Sequence, residues 1–91
     1  MVTQDIQPQT RLTLNLLYAA SKSMTYGSDF GSGIAYSIYN STIVQLLLRL
    51  PIEISLPLSQ AYASGRNPSE SAEFLLKALK DYEVGGEKPS K

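Results

Sequence analysis

The sequence predicts a mainly α-helical domain, a small bundle of three to four helices, with one short extended or edge-strand segment as an alternative near residues 50–58. Apolar residues recur at spacings of three and four over residues 34–50, as they do on the buried stripe of a helix. Residues 67–70 read Asn-Pro-Ser-Glu, which is a complete helix-start signal. A chain of 91 residues fits one domain with a single modest core.

The N-terminal part predicts the first helix. We expect residues 1–9 to be a flexible arm, residues 10–84 a single helical domain, and residues 85–91 a flexible tail. From residue 12, alternating leucines are typical of a strand, but a competing helical period and the pair Ala19-Ala20 favour a helix over residues 12–24. A short extended piece before this helix stays as an alternative.

Glycines interrupt the pattern after the first helix, at positions 27, 31 and 33. We expect residues 27–33 to form a flexible connector, because glycine inside a regular element is costly. The backbone N–H groups of such a loop could bind an anion. The Gly-Lys-Ser/Thr ending of a nucleotide-binding P-loop is missing, however, so the sequence leaves any ligand of this loop open.

The most apolar stretch of the sequence, residues 43–58, spans the end of the next predicted element and the segment after it. Residues 34–50 predict a central helix that ends near Leu50, because Pro51 disfavours helical geometry in the residue before it. Residues 50–58 then alternate apolar and polar side chains, which indicates an extended joint. A helix opened by Pro51 is the alternative. The next helix is predicted over residues 56–64, closed by Gly65.

The last helix has the clearest local signal. Asn67 is expected to cap it, Pro68 fits its first turn, and Glu70 can return a hydrogen bond to the cap backbone. Its apolar residues keep helical spacing up to Tyr82, and two glycines at 85 and 86 end the pattern.

The charge distribution excludes several classes of function. Eight Lys/Arg balance eight Asp/Glu, which makes nucleic-acid coating unlikely. The fifteen residues 34–48 are too few and too polar for a membrane span, which needs about 20 apolar residues. The chain has no cysteine and no histidine, so we expect no metal and no cofactor. A cysteine-free chain is compatible with a reducing cytoplasm, where we expect the protein to act.

Two acids, Asp29 and Glu53, are the only carboxylates between residues 12 and 64. A buried pair of carboxylates could act as general acid and base. The simpler interpretation is that Glu53 pairs with Arg49, four residues earlier, or faces solvent. We therefore predict that the protein is not an enzyme.

Residues 52–82 resemble the end of ribbon-helix-helix repressors and antitoxins. The similarity rests on a short extended segment, a glycine-containing turn at Gly65, Ser69-Glu70 at the start of a helix, and the closing run Ala78-Leu79-Lys80-Asp81-Tyr82. It covers about a third of the chain. The resemblance implies an intertwined dimer that binds DNA through a paired strand, which is the alternative prediction of function.

The preferred prediction is a small protein-interaction or oligomerisation module. Only four charged residues occur between residues 12 and 64, far below the usual quarter of a globular sequence. A core this small cannot enclose all of the leucine and isoleucine, so an apolar surface should remain for a partner. The partner is expected to be a second copy, in a homodimer or higher oligomer, or a larger protein. The candidate interface residues are Ile38, Leu46, Leu47, Leu50, Ile52 and Ile54.

Overall fold

The computed structural model describes residues 6–26 and 33–82. Four α-helices follow one another: α1 (Pro8–Tyr26), α2 (Gly33–Leu48), α3 (Ile52–Ala63) and α4 (Pro68–Leu79), with a final 3-10 turn over Lys80–Tyr82. Within these two ranges there is no strand. The prediction of a small, mainly α-helical bundle is confirmed. The predicted tail at residues 85–91 and most of the glycine loop at 27–33 lie outside the described residues.

Helix α1 begins earlier than the sequence predicted. Pro8 is its first residue, where a missing N–H costs nothing, so the expected N-terminal arm loses its last two residues to the helix. The strand-like alternation is resolved by helical geometry, since Leu14 is buried while Leu12 and Leu16 are exposed. The buried face of α1 consists of Leu14, Leu17, Ala20, Ser21 and Met24.

Helix α2 ends at Leu48, two residues before the predicted end. Its last turn tightens: the amide of Arg49 donates to the carbonyl of Leu46 at 3.1 Å, and the amide of Leu50 donates to the carbonyl of Leu47 at 3.3 Å. Such three-residue bonds are common where a helix closes. Pro51 then keeps Leu50 out of the helix, as the sequence predicted.

The prediction of an extended joint at residues 50–58 is wrong, because helix α3 already begins at Ile52. Pro51 is the residue that precedes it, and its carbonyl accepts hydrogen bonds from Ile54 N at 2.9 Å and Ser55 N at 2.8 Å. The apolar-polar alternation does not reflect a strand: Leu58 is buried and Leu56 is exposed, as helical spacing requires. Thus the alternative of a helix opening at Pro51 is closer to the structure.

Helix α4 starts as predicted. The Asn67 side chain accepts a hydrogen bond from Glu70 N at 2.8 Å, and Pro68 is the first helical residue. The carboxylate of Glu70 reaches one residue further back than expected, because it accepts from the amide of Arg66 at 2.8 Å. Gly65 is required for a reason that the sequence did not reveal: a Cβ there would overlap the backbone nitrogen and hydroxyl of Ser71.

The helices enclose one core. Helix α4 packs against both α1 and α3, α1 also packs against α2, and a smaller contact joins α2 to α3. Both α1 and α3 therefore lie against α4, and α2 lies at the outside of the bundle. The buried core residues are Leu14, Leu17, Ala20, Met24, Ile43, Leu46, Leu47, Leu50, Leu58, Ala72, Leu75 and Leu79.

Candidate functional site

The structure separates the six predicted interface residues into two groups. Leu46, Leu47 and Leu50 are buried in the core of the protomer, and Ile54 packs against it. Burial in the core removes Leu46, Leu47 and Leu50 from any surface for a partner. Only Ile38 and Ile52 of the six are largely exposed.

An apolar surface extends along the outer side of α2. At 3.6 residues per turn, seven exposed residues fall within one arc of roughly 120°. The aliphatic members are exposed by 74% at Ile34, 58% at Ile38, 41% at Val44 and 79% at Leu48. We call this surface the α2 outer face; its residues are Ile34, Ser37, Ile38, Ser41, Val44, Gln45 and Leu48.

This face is also free of charge. No Asp, Glu, Lys or Arg occurs anywhere in α2. The opposite side of the same helix supplies Ile43, Leu46 and Leu47 to the core. A helix that is apolar on all sides is usually covered on all sides. By contrast, the exposed side of α4 carries Glu73 and Lys77, as a solvated helix does.

A side-chain hydrogen bond joins α2 to α3. The hydroxyl of Tyr62 donates to the Oδ1 atom of Asn40, next to the α2 outer face. Burial raises the pKa of Tyr62, which favours the neutral phenol that donates in this bond.

The other helices expose smaller apolar sets. Helix α1 presents Leu12 and Leu16, one turn apart, and α3 presents Ile52 and Leu56 in the same way. Glu53 stands beside Ile52 and is itself exposed. Neither set extends along a whole uncharged helix, as the α2 outer face does.

An open groove of about 650 Å³ lies where the start of α1 meets the start of α3 and the final turn. Glu53 is the only acid among the described residues that line it, and burial followed by the Asp81 carboxylate raises the pKa of Tyr82 at its edge. Glu53 faces solvent, in agreement with the simpler sequence interpretation, and Asp29 lies outside the described residues. Across the described ranges no three acidic side chains cluster in a way that could hold a metal ion.

The DNA-binding alternative depended on an extended segment in residues 50–58. Residues 52–58 lie in α3, with Pro57 inside the helix, so they do not form the paired strand of a ribbon-helix-helix dimer. The resemblance to that family therefore lacks the strand and is limited to the turn at Gly65, the start of α4 and the closing run of residues 78–82.

The sequence patterns did not identify Ile34, Val44 and Leu48 as exposed. The signal was present in the absence of charged residues from α2 and in the aliphatic residues on both of its sides, which implies more apolar surface than one core can cover. None of the helices in residues 6–26 and 33–82 is long and apolar enough to span a bilayer. No protein-family model, curated protein or solved structure matches the chain.

Proposed function

We propose that the protein is a non-enzymatic module that acts by association, and that the α2 outer face is its binding surface. The observation that carries the proposal is the pairing of strong exposure with a complete lack of charge along α2. Interface cores are depleted of charged residues in the same way. We place this role in the cytoplasm, where a chain without cysteine has no disulfide to lose.

The energetics favour a covered face. Burial of apolar surface contributes about 25 cal/mol per Å². The aliphatic side chains of the face include two that are more than 70% exposed, Ile34 and Leu48. No charged side chain in α2 has to be desolvated when a partner approaches. Association therefore gains the apolar term without the usual electrostatic cost.

Residue chemistry supports a non-catalytic role. The chain contains no histidine and no cysteine, the residues that most often serve as general base and as reactive nucleophile. Among the described residues that line the groove, Glu53 offers the one exposed carboxylate, and the pKa of Tyr82 at the edge is raised. A surface for contact explains more of the exposed residues than a reaction centre does.

The proposal is tested with a triple variant of the face, Ile34→Lys, Ile38→Lys and Leu48→Lys. The matched control is Leu12→Lys with Leu16→Lys, because those side chains are also exposed aliphatics on a helix surface. Sedimentation velocity over a concentration series measures self-association, and affinity purification from the source cells with wild type and both variants as bait measures binding to a larger protein.

We expect the triple variant alone to lose association while both variants keep the circular dichroism spectrum of the wild type. A wild type that stays monomeric, and whose co-purifying proteins are the same for all three baits, would refute the proposal. Equal losses in the face variant and the α1 control would also contradict it, because the binding would then not depend on α2.

A further inference from the structure

We infer that the first half of α3, residues 52–57, opens as a unit while the rest of the bundle stays folded, and that this segment is a movable wall of the groove beside Glu53. The inference is independent of the α2 outer face. Three features of the segment carry it: a proline inside the helix, a start without a side-chain cap, and few buried side chains.

Pro57 weakens the helix from within. It is the sixth residue of α3 and is exposed. A proline in a helix removes the hydrogen bond to the carbonyl four residues earlier, and it disfavours helical geometry in the residue before it, here Leu56. The next residue, Leu58, is fully buried in the core. The weak point of α3 therefore lies where its exposed first half joins the part that is fixed in the core.

The start of α3 has no side-chain cap. Pro51 precedes the helix and offers no side-chain acceptor to its first turn. At the start of α4, by contrast, the Asn67 side chain accepts a hydrogen bond from Glu70 N, which stabilises the first turn. Each helix has one acid in its first turn, Glu53 or Glu70, so the interaction of an acid with the helix dipole does not distinguish them.

Little of the segment is buried. Ile52 and Leu56 are exposed by 68% and 50%, and Ile54 is only partly buried against the core. Ser55 is the one buried residue of the segment. Helix α4 instead buries Ala72, Leu75, Leu76 and Leu79 along its length. Opening of residues 52–57 therefore exposes little new apolar surface, while the released backbone gains conformational entropy.

The sequence favours an extended conformation for the open segment. Apolar side chains in residues 50–58 alternate with polar residues and prolines, which is typical of extended backbone. Ile52 and Ile54 are β-branched, and such residues favour the extended conformation over the helix. The pattern that is wrong for the folded helix thus fits the open state.

Opening changes the groove. Pro51, Glu53 and Ile54 line it from the side of α3, and the other described residues that line it lie at the start of α1 or in the final turn. When residues 52–57 leave the helix, the α3 wall of the groove is lost and Ile54 leaves the core. The segment therefore controls the width of the groove.

Native-state hydrogen exchange, followed by NMR at low urea concentrations, measures the opening. Ser55 and Ser71 are matched reporters, because each is the buried fourth residue of its helix. Each amide also donates to the carbonyl of the residue before its helix, at 2.8 Å for Ser55 and 2.9 Å for Ser71. After correction for intrinsic exchange, we expect Ser55 to exchange at least about 10-fold faster than Ser71, at a rate almost independent of urea.

Two variants separate local opening from unfolding of the whole bundle. Pro57→Ala should slow exchange at Ser55 by about 5- to 100-fold, because it restores the missing donor. Asn67→Ala should speed exchange at Leu75 by about 5-fold and leave Ser55 unchanged, because the segment opens while α4 stays folded. A Ser55 amide as protected as Ser71, unaffected by Pro57→Ala, or as sensitive to urea and to Asn67→Ala as Leu75, would overturn the inference.

Discussion

Truncation of the two adjacent leucines at the end of α2 should change the stability of the protein by very different amounts. Leu47 is 6% exposed and lies in the core, whereas Leu48 is 79% exposed on the α2 outer face. We expect Leu47→Ala to lower the free energy of unfolding by about 2–5 kcal/mol, the range for buried leucine. Leu48→Ala should change it by less than about 0.5 kcal/mol, as surface substitutions do.

These magnitudes are large for so small a protein. A domain of this length has a free energy of unfolding of roughly 5–10 kcal/mol. Each kcal/mol shifts the unfolding temperature by about 4–8 °C at this size. Leu47→Ala should therefore melt roughly 8–40 °C below the wild type, while Leu48→Ala melts within a few degrees of it.

The assay is thermal unfolding followed by far-UV circular dichroism at a low chain concentration, about 2 µM, so that dimer formation adds little to stability. Sedimentation of the same variants measures association. Leu48→Ala should weaken association although it leaves the monomer stable. Equal stability losses at both positions would refute the assigned rotation of α2, and with it the α2 outer face.

Three further predictions concern the other helices. Asn67→Ala removes the acceptor for Glu70 N and should cost about 1 kcal/mol in urea unfolding, whereas Asn67→Asp, which keeps an acceptor, should cost little; an equal loss in both would contradict the capping role. Pro57 lies exposed inside α3 and leaves the carbonyl of Glu53 without its helical donor. Pro57→Ala should therefore raise the free energy of unfolding by about 1–3 kcal/mol. A lower free energy of unfolding would show instead that the proline is needed to shape α3. Burial raises the pKa of Tyr62 above its ordinary value of about 10. The contribution of the neutral phenol to stability is therefore present below pH 10 and is lost as the pH rises through the folded-state pKa. The wild type should lose more stability than Tyr62→Phe between about pH 9 and pH 11, and parallel curves of unfolding free energy against pH would argue against this linkage.

The sequence predicted best where the signal was local. The start of α4 depends on three neighbouring residues, Asn67, Pro68 and Glu70, whose hydrogen bonds close within one turn. No distant contact has to be known for that inference. The helical fold class followed from the same kind of pattern, repeated over residues 34–50.

The start of α3 was missed because two patterns overlapped. Leu50, Ile52, Ile54, Leu56 and Leu58 alternate with polar residues and prolines, which is typical of an edge strand. The structure buries Leu50 and Leu58 and exposes Ile52 and Leu56 instead. Packing of α3 against α4 decides between the two conformations, and a pattern within nine residues contains no information about that contact.

The candidate surface could be predicted in kind but not in position. The shortage of charge between residues 12 and 64 correctly indicated apolar residues left outside the core. Which ones remained outside depended on the rotation of α2 about its axis. Since both sides of α2 carry aliphatic side chains and neither carries a charge, the periodicity of its sequence does not reveal that rotation, and Leu46, Leu47 and Leu50 were assigned to the surface instead of the core.

The most direct test of the association surface uses charge at its centre. Ser41 is exposed and contributes nothing to the core, so Ser41→Lys and Ser41→Glu should both fold. A charge at this position would have to be desolvated when a partner covers the α2 outer face. Sedimentation and affinity purification should therefore find association of the wild type that both variants lose. Variants that associate as strongly as the wild type, or a wild type that binds neither itself nor another protein, would contradict the α2 outer face as the binding surface.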